Sequence, residues 1–182
     1  MAYYIGFILR GSIGSQIRDL IDDIDRDCRL TNINAKKPNP HITLVTPFET
    51  KKEKRIVNDF YEVCSNFSII DFKLGPFGDF KKNSVVYIEI IPSMNLNNFR
   101  LALVNKFSRY CDLDYVNYNE IYYFHITLAK RLKNYELKRI KKYLLHIPQF
   151  NGIFHILKVA IIKNGKVFCE YDFLSKKMYF RE

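Results

Sequence analysis

The tetrapeptide His-Ile-Thr-Leu occurs twice in this chain, at residues 41–44 and again at 125–128. Successive side chains of a β-strand point to opposite faces, so each copy sends His and Thr one way and Ile and Leu the other. One face is then chemical and the other belongs to a core. The chain has only five threonines, so a given histidine has Thr two places later by accident about 3% of the time. Two such pairs among four histidines make a duplicated strand the economical explanation, and a chain with two related halves the fold it constrains.

The pattern around each copy supports that reading. Residues 3–10 are aromatic and β-branched and predict a strand, with Gly/Ser punctuation at 11–15 after it. Ile17, Leu20, Ile21, Ile24 and Cys28 recur at helical spacing, with Ser15 as the expected N-cap. A basic, proline-punctuated stretch at 36–40 leads into the first motif strand, 41–46. Thr50 is then placed to cap a helix carrying Ile56, Val57, Phe60, Tyr61 and Cys64, and residues 69–74 return as a strand. The second half repeats the order: strand 85–91, helix 95–110, strand 122–129, helix 135–145, strand 153–162. Asn164-Gly165 then predicts a hairpin turn into a strand over 167–173. The expected organisation is α+β, one bilobal domain over 1–182, with pseudo-repeat lobes of about 1–80 and 81–182, each carrying one motif.

Composition bounds the partners. Apolar residues are 48% and charged residues 26% of the chain, which disfavours disorder. The opening apolar run is ended by Arg10, too short for a signal core or a bilayer span. Cys28, Cys64, Cys111 and Cys169 are widely separated, with no CxxC pair, and are expected to be reduced thiols of a cytoplasmic protein. A net charge of +10 favours phosphate-bearing partners, although a lysine-rich, A+T-biased proteome, which the many Asn, Ile, Lys and Tyr residues suggest, accounts for such a charge equally well.

Two strands related by a pseudo-two-fold axis bring two imidazoles and two hydroxyls around one point. Histidine titrates near neutral pH, so one imidazole can take a proton from an attacking oxygen while the other gives one to the departing oxygen across phosphorus. Thr43 and Thr127 can donate hydrogen bonds to the non-bridging oxygens. No metal or other cofactor is needed for this chemistry. A binding module without chemistry is the competing reading, but two mostly neutral groups serve an anion less well than arginine would.

PHITLVTPF at residues 40–48 and FHITLAKR at 124–131 resemble the paired H-x-T-x signatures of the 2H phosphoesterase superfamily, and most closely its 2'-5' RNA ligase and RNA 2',3'-cyclic phosphodiesterase branch. The resemblance implies two antiparallel-type sheets lining a central cleft with helices outside. It also implies His41 as proton donor, His125 as proton acceptor, and Thr43 and Thr127 as phosphate ligands. The implied substrate is RNA or an oligonucleotide with a 2'-linked or cyclic phosphate, handled by a monomer. Degradation of a 2'-5' or cyclic oligonucleotide immune signal uses the same groups.

Relatives in that branch often carry Arg five places after the second histidine, where this chain has Lys130 and then Arg131. Strand parity puts Arg131 on the face of His125 and Thr127 if the strand continues, and a bulge or another phosphate contact remains open. Tyr123 shares that face and is a candidate for base stacking. His146, at a helix end, is expected to meet the helix carbonyls, and His155, alternating with Ile153, Leu157 and Val159, to be a satisfied core histidine. The basic stretch 133–142 reads first as a solvated helix face.

Overall fold

The structure, a computed structural model, describes residues 2–30, 39–119 and 121–181. Part of the basic stretch before the first motif lies outside the described residues. Nine strands and four helices are found among those described: β1 (Ala2–Ile8), α1 (Gly11–Cys28), β2 (His41–Glu49), α2 (Glu53–Ser65), β3 (Ile70–Phe80), β4 (Val85–Pro92), α3 (Met94–Phe107), β5 (His125–Ala129), α4 (Asn134–Leu144), β6 (Ile153–Ile156), β7 (Lys158–Lys163), β8 (Lys166–Asp172) and β9 (Lys177–Phe180). The strands form two antiparallel sheets, one ordered β2-β1-β7-β8-β9 and the other β5-β4-β3-β6. Each sheet thus carries one motif strand, and carries it at an edge.

Sheet membership is interleaved along the chain rather than divided near residue 80. β3 pairs with β4 and β6 in the four-stranded sheet, whereas β7, β8 and β9 complete the sheet begun by β1 and β2. The run expected as one strand over 153–162 is two. β6 pairs with β3, Leu157 lies between strands, and β7 pairs with β1 in the other sheet. One apolar stretch therefore ties the two sheets together. The predicted Asn164-Gly165 turn is present, with φ of 50° and 79°, and closes the β7–β8 hairpin. β9 has no counterpart among the expected elements.

Local chemistry accounts for most element ends. α1 buries Ile17, Leu20, Ile24 and Cys28, as its spacing predicts, but it starts at Gly11 rather than after Ser15. The helix leaves β1 so tightly that a Cβ on Gly14 would lie 2.5 Å from the Leu9 carbonyl oxygen, and Gly14 makes that approach possible. Thr50 accepts from the Lys52 amide at 3.1 Å, in the turn that enters α2, and is not the N-cap itself. Ser93 caps α3 by accepting from the Leu96 amide at 3.1 Å. β3 runs past Gly75-Pro76 through a register shift between Leu74 and Phe77, six residues further than expected.

The apolar sides of the sheets and helices meet in one continuous core. Within it Phe99 of α3 contacts Phe7 of β1, Phe67 before β3 and Phe173 after β8, at centroid distances of 6.1, 5.0 and 5.8 Å. All four cysteines are buried and unpaired, and burial pushes each thiol upward in pKa. No described helix is long and apolar enough to cross a membrane.

Candidate active site

Both motifs alternate as the period of two requires: Ile42, Leu44, Ile126 and Leu128 are buried, while His41, Thr43, His125 and Thr127 lie half-exposed on the other side. The edge strands β2 and β5 lie against each other, which joins the two chemical faces. The phenol of Tyr122 reaches across and donates to the main-chain oxygen of Thr43 at 3.3 Å. The charge of His41 is felt at His125, so the imidazoles occupy one electrostatic neighbourhood.

The two histidines are held alike. Nδ1 of His41 is 2.9 Å from the carbonyl oxygen of Asn39, and Nδ1 of His125 is 3.0 Å from that of Tyr123, each two residues upstream. A carbonyl only accepts, so each Nδ1 carries the proton and each Nε2 is the nitrogen left for chemistry. The same bond steadies the imidazolium when Nε2 is protonated. One arrangement thus suits an acid as well as a base.

Their surroundings differ. His41 has the ring of Tyr4 tilted beside it at 5.8 Å. His125 is enclosed by aromatics: Phe80 meets it edge-on at 5.1 Å and Tyr87 lies at 5.4 Å. Phe80 stacks on Tyr87 at 4.3 Å, and Tyr123 stands edge-on to both at 5.8 Å. Tyr87 is in register with Thr127, and Glu89 with His125, across the β4–β5 pair. Burial lowers the pKa of His125 below that of an ordinary imidazole; the charge of His41 acts the same way, and the bond to the Tyr123 carbonyl opposes both. Burial and the hydrogen bond with Tyr123 raise the pKa of the Tyr87 phenol, which stays neutral. Gly78 pairs with Tyr87, and a Cβ there would lie 2.6 Å from its ring, so glycine lets the ring lie across β3.

Phe80, Tyr87, Arg100 and Asn117 join the candidates recognised from sequence. Arg100, almost fully buried, sits 3.7 Å from the centroid of Tyr122 and donates to the Asn117 main-chain oxygen at 2.8 Å. The Asn117 side chain bonds Thr46 through both its ends. The segment between α3 and β5 is in this way fastened to β2. Nothing in the spacing of α3 marks Arg100, which looks like one charge on an apolar face. A cavity of about 420 Å³ lined by Glu89, Asn97, Arg100, Ile121, Tyr122 and Tyr123, among others, opens beside the start of β5.

Other expectations are corrected. β5 ends at Ala129, and Arg131 takes a left-handed φ of 58°, so strand parity does not extend to Lys130 or Arg131. The Leu132 amide then donates to the Ser84 oxygen at 3.2 Å and draws the chain back to β4. Tyr123, 46% exposed, does share the face of His125. His155 is exposed on edge strand β6, in register with Asp71, and is not a core residue. His146 is exposed just beyond α4, its amide bonded to the Tyr143 oxygen. Among the described residues, no group of three or more His, Cys, Asp or Glu side chains is placed to hold a metal ion.

The family model for the 2'-5' RNA ligase superfamily matches residues 14–167. No curated protein sequence gives a significant match. In fold, the chain is similar to E. coli LigT in its apo form (TM-score 0.56, 16% identity, covering 99% of this chain and 92% of that one) and in its complex with 3'-AMP (0.55, 16%, 98% and 92%). It is similar also to Kluyveromyces marxianus Usb1 (0.51, 13%, 88% and 93%). The two antiparallel sheets and four helices are thus arranged as in LigT, an α+β fold.

Proposed function

The chain belongs to the 2'-5' RNA ligase superfamily of 2H phosphoesterases, and on that premise we propose that it is a metal-independent phosphodiesterase for RNA-type 2',3'-cyclic phosphates or 2'-5' linkages. The observation that carries the reading is the matched anchoring of His41 and His125, each with Nδ1 on a carbonyl and Nε2 left for chemistry. In the proposed reaction Nε2 of His125 removes the proton of the attacking oxygen, water or a ribose hydroxyl. Nε2 of His41 protonates the departing oxygen as its bond to phosphorus breaks. The Thr43 and Thr127 hydroxyls donate to the non-bridging oxygens, whose charge is held through the transition state.

The environment of His125 supports its role as the acceptor. A base must be neutral before it acts, and a lowered pKa keeps it so over more of the neutral range. Repulsion from His41 also favours one proton on the pair over two, which is the state the reaction requires. Rate is therefore expected to follow a bell-shaped pH profile whose acid limb, set by His125, falls below the ordinary imidazole value of about 6.5. A flat profile from pH 5 to 9 speaks against the acid and base pair.

Phe80, backed by the buried Tyr87, and the exposed Tyr123 offer rings for base stacking beside His125, and LigT is seen with 3'-AMP. Arg131 and Lys130 follow the second motif closely in sequence and are proposed as further phosphate contacts. The proposed setting is a monomer in the cytoplasm, which the four unpaired, buried thiols suit. A panel of cyclic-phosphate-ended RNA, 2'-5' and 3'-5' oligoadenylates and cyclic dinucleotides, read by product identity with and without excess EDTA, tests the proposal. Turnover of a 2'-linked or cyclic phosphate that persists in EDTA is expected. Plain 3'-5' RNA cut as fast as every 2'-linked compound overturns the specificity, and activity lost to EDTA but restored by metal overturns the mechanism.

A further inference from the structure

Thr43 begins a row of paired residues that crosses the five-stranded sheet on its chemical face: Thr43 with Gly6, Gly6 with Ala160, Ala160 with Glu170 and Glu170 with Tyr179. Directly paired residues share a face, so the row is one continuous strip. Next to Thr43 it carries Gly6 and Ala160, nothing larger than a methyl group and both buried. It then reaches Glu170, which is only 2% exposed yet charged. A carboxylate is buried at such cost only when it is paired. Glu170 holds two arginines, one oxygen taking the guanidinium of Arg10 and the other that of Arg181, at 2.8 Å. These side chains remain 45% and 54% exposed.

Charge and donors are left over in this triad. Two guanidiniums against one carboxylate leave one positive charge, and each guanidinium has five N–H donors in a rigid fork, of which Glu170 engages few. The buried carboxylate fixes where those forks stand. Arg10 follows β1 beside the His41 end of β2, where the Leu9 amide donates to the Pro40 oxygen, and its side chain reaches to Glu170. Tyr179, 41% exposed, lies across from Glu170 with the Lys158 ammonium 5.4 Å from its ring centroid. A held pair of guanidiniums beside an open aromatic ring is the chemistry of a nucleotide contact.

We propose that Arg10 and Arg181, held by Glu170, form a second phosphate subsite that engages the strand of an oligonucleotide beyond the reacting phosphate. Three strand spacings separate Thr43 from Glu170, roughly 14 Å. A stacked strand carries a charge about every 3.4 Å of its axis, so that distance corresponds to a few nucleotides and a mononucleotide does not reach from one site to the other. The proposal rests on the phosphodiesterase reading and adds to it that the substrate is a short oligonucleotide.

The test compares a nucleoside 2',3'-cyclic phosphate with an RNA trinucleotide ending in the same group, using the full chain and its Arg10→Gln and Arg181→Gln variants. Each variant leaves Glu170 one arginine, and Arg→Lys versions at both positions control for folding through their melting curves. The wild-type protein is expected to favour the trinucleotide in kcat/KM. Each Gln variant should shrink that advantage by about tenfold, the scale of one contact between charged groups. Binding of a 3'-phosphate-ended trinucleotide should show a salt slope reduced by about one in each Gln variant. A wild-type protein indifferent to length, or Gln variants that keep the length advantage and the salt slope, overturn the subsite. If neither compound is cleaved, the phosphodiesterase reading fails while the salt slope still decides the subsite.

Discussion

Replacing either His41 or His125 by alanine is expected to slow phosphodiester cleavage by about a hundredfold or more, the usual scale for a general acid or base, while leaving the fold in place. Both side chains lie on the half-exposed face of an edge strand, and each ring bonds a carbonyl only two residues away. Stability should therefore change by less than about 1 kcal/mol. The double variant should be little worse than either single one, since removing one member already disables a pair that works as a unit. Steady-state rates read beside thermal melts decide the matter. A loss under tenfold at either position, or losses that multiply in the double variant, would show that the two imidazoles do not act together.

The chemical half of this site was legible because it is local. A period of two and a repeated tetrapeptide are enough to place His41, Thr43, His125 and Thr127 on half-exposed faces opposite buried Ile and Leu, and the structure keeps that alternation in both copies. Sheet parentage was not legible, because it depends on which distant strands pair. The apolar run from Ile153 to Ile162 reads as one strand at the level of propensity, yet its two parts serve different sheets. Gly75-Pro76 likewise looks like a strand end. The ladder absorbs it as a register shift, and that carries Gly78 and Phe80 alongside β4, where Phe80 meets His125. Arg131 failed for the opposite reason: parity is dependable only while the strand lasts, and this one stops at Ala129.

Phe99→Ala is expected to destabilise the whole chain by about 3–5 kcal/mol, and its effect bears on how the two motif strands are kept together. Phe99 is fully buried and belongs to a helix that a division at residue 80 assigns to the second half. Its ring nevertheless packs on Phe7 within the first motif's sheet, on Phe173 just after that sheet's β8, and on Phe67, which leads into β3 of the other. Truncation removes a ring from a space walled by three others and leaves a cavity that strands pinned by their ladders cannot close. For a chain of this length the melting temperature should fall on the order of 10 °C. Because the core is continuous across both sheets, unfolding should stay a single transition, with fluorescence and circular dichroism giving the same midpoint. Two separable transitions, only one of them moved by Phe99→Ala, would mean that the halves fold independently and that the shared core does not hold β2 against β5.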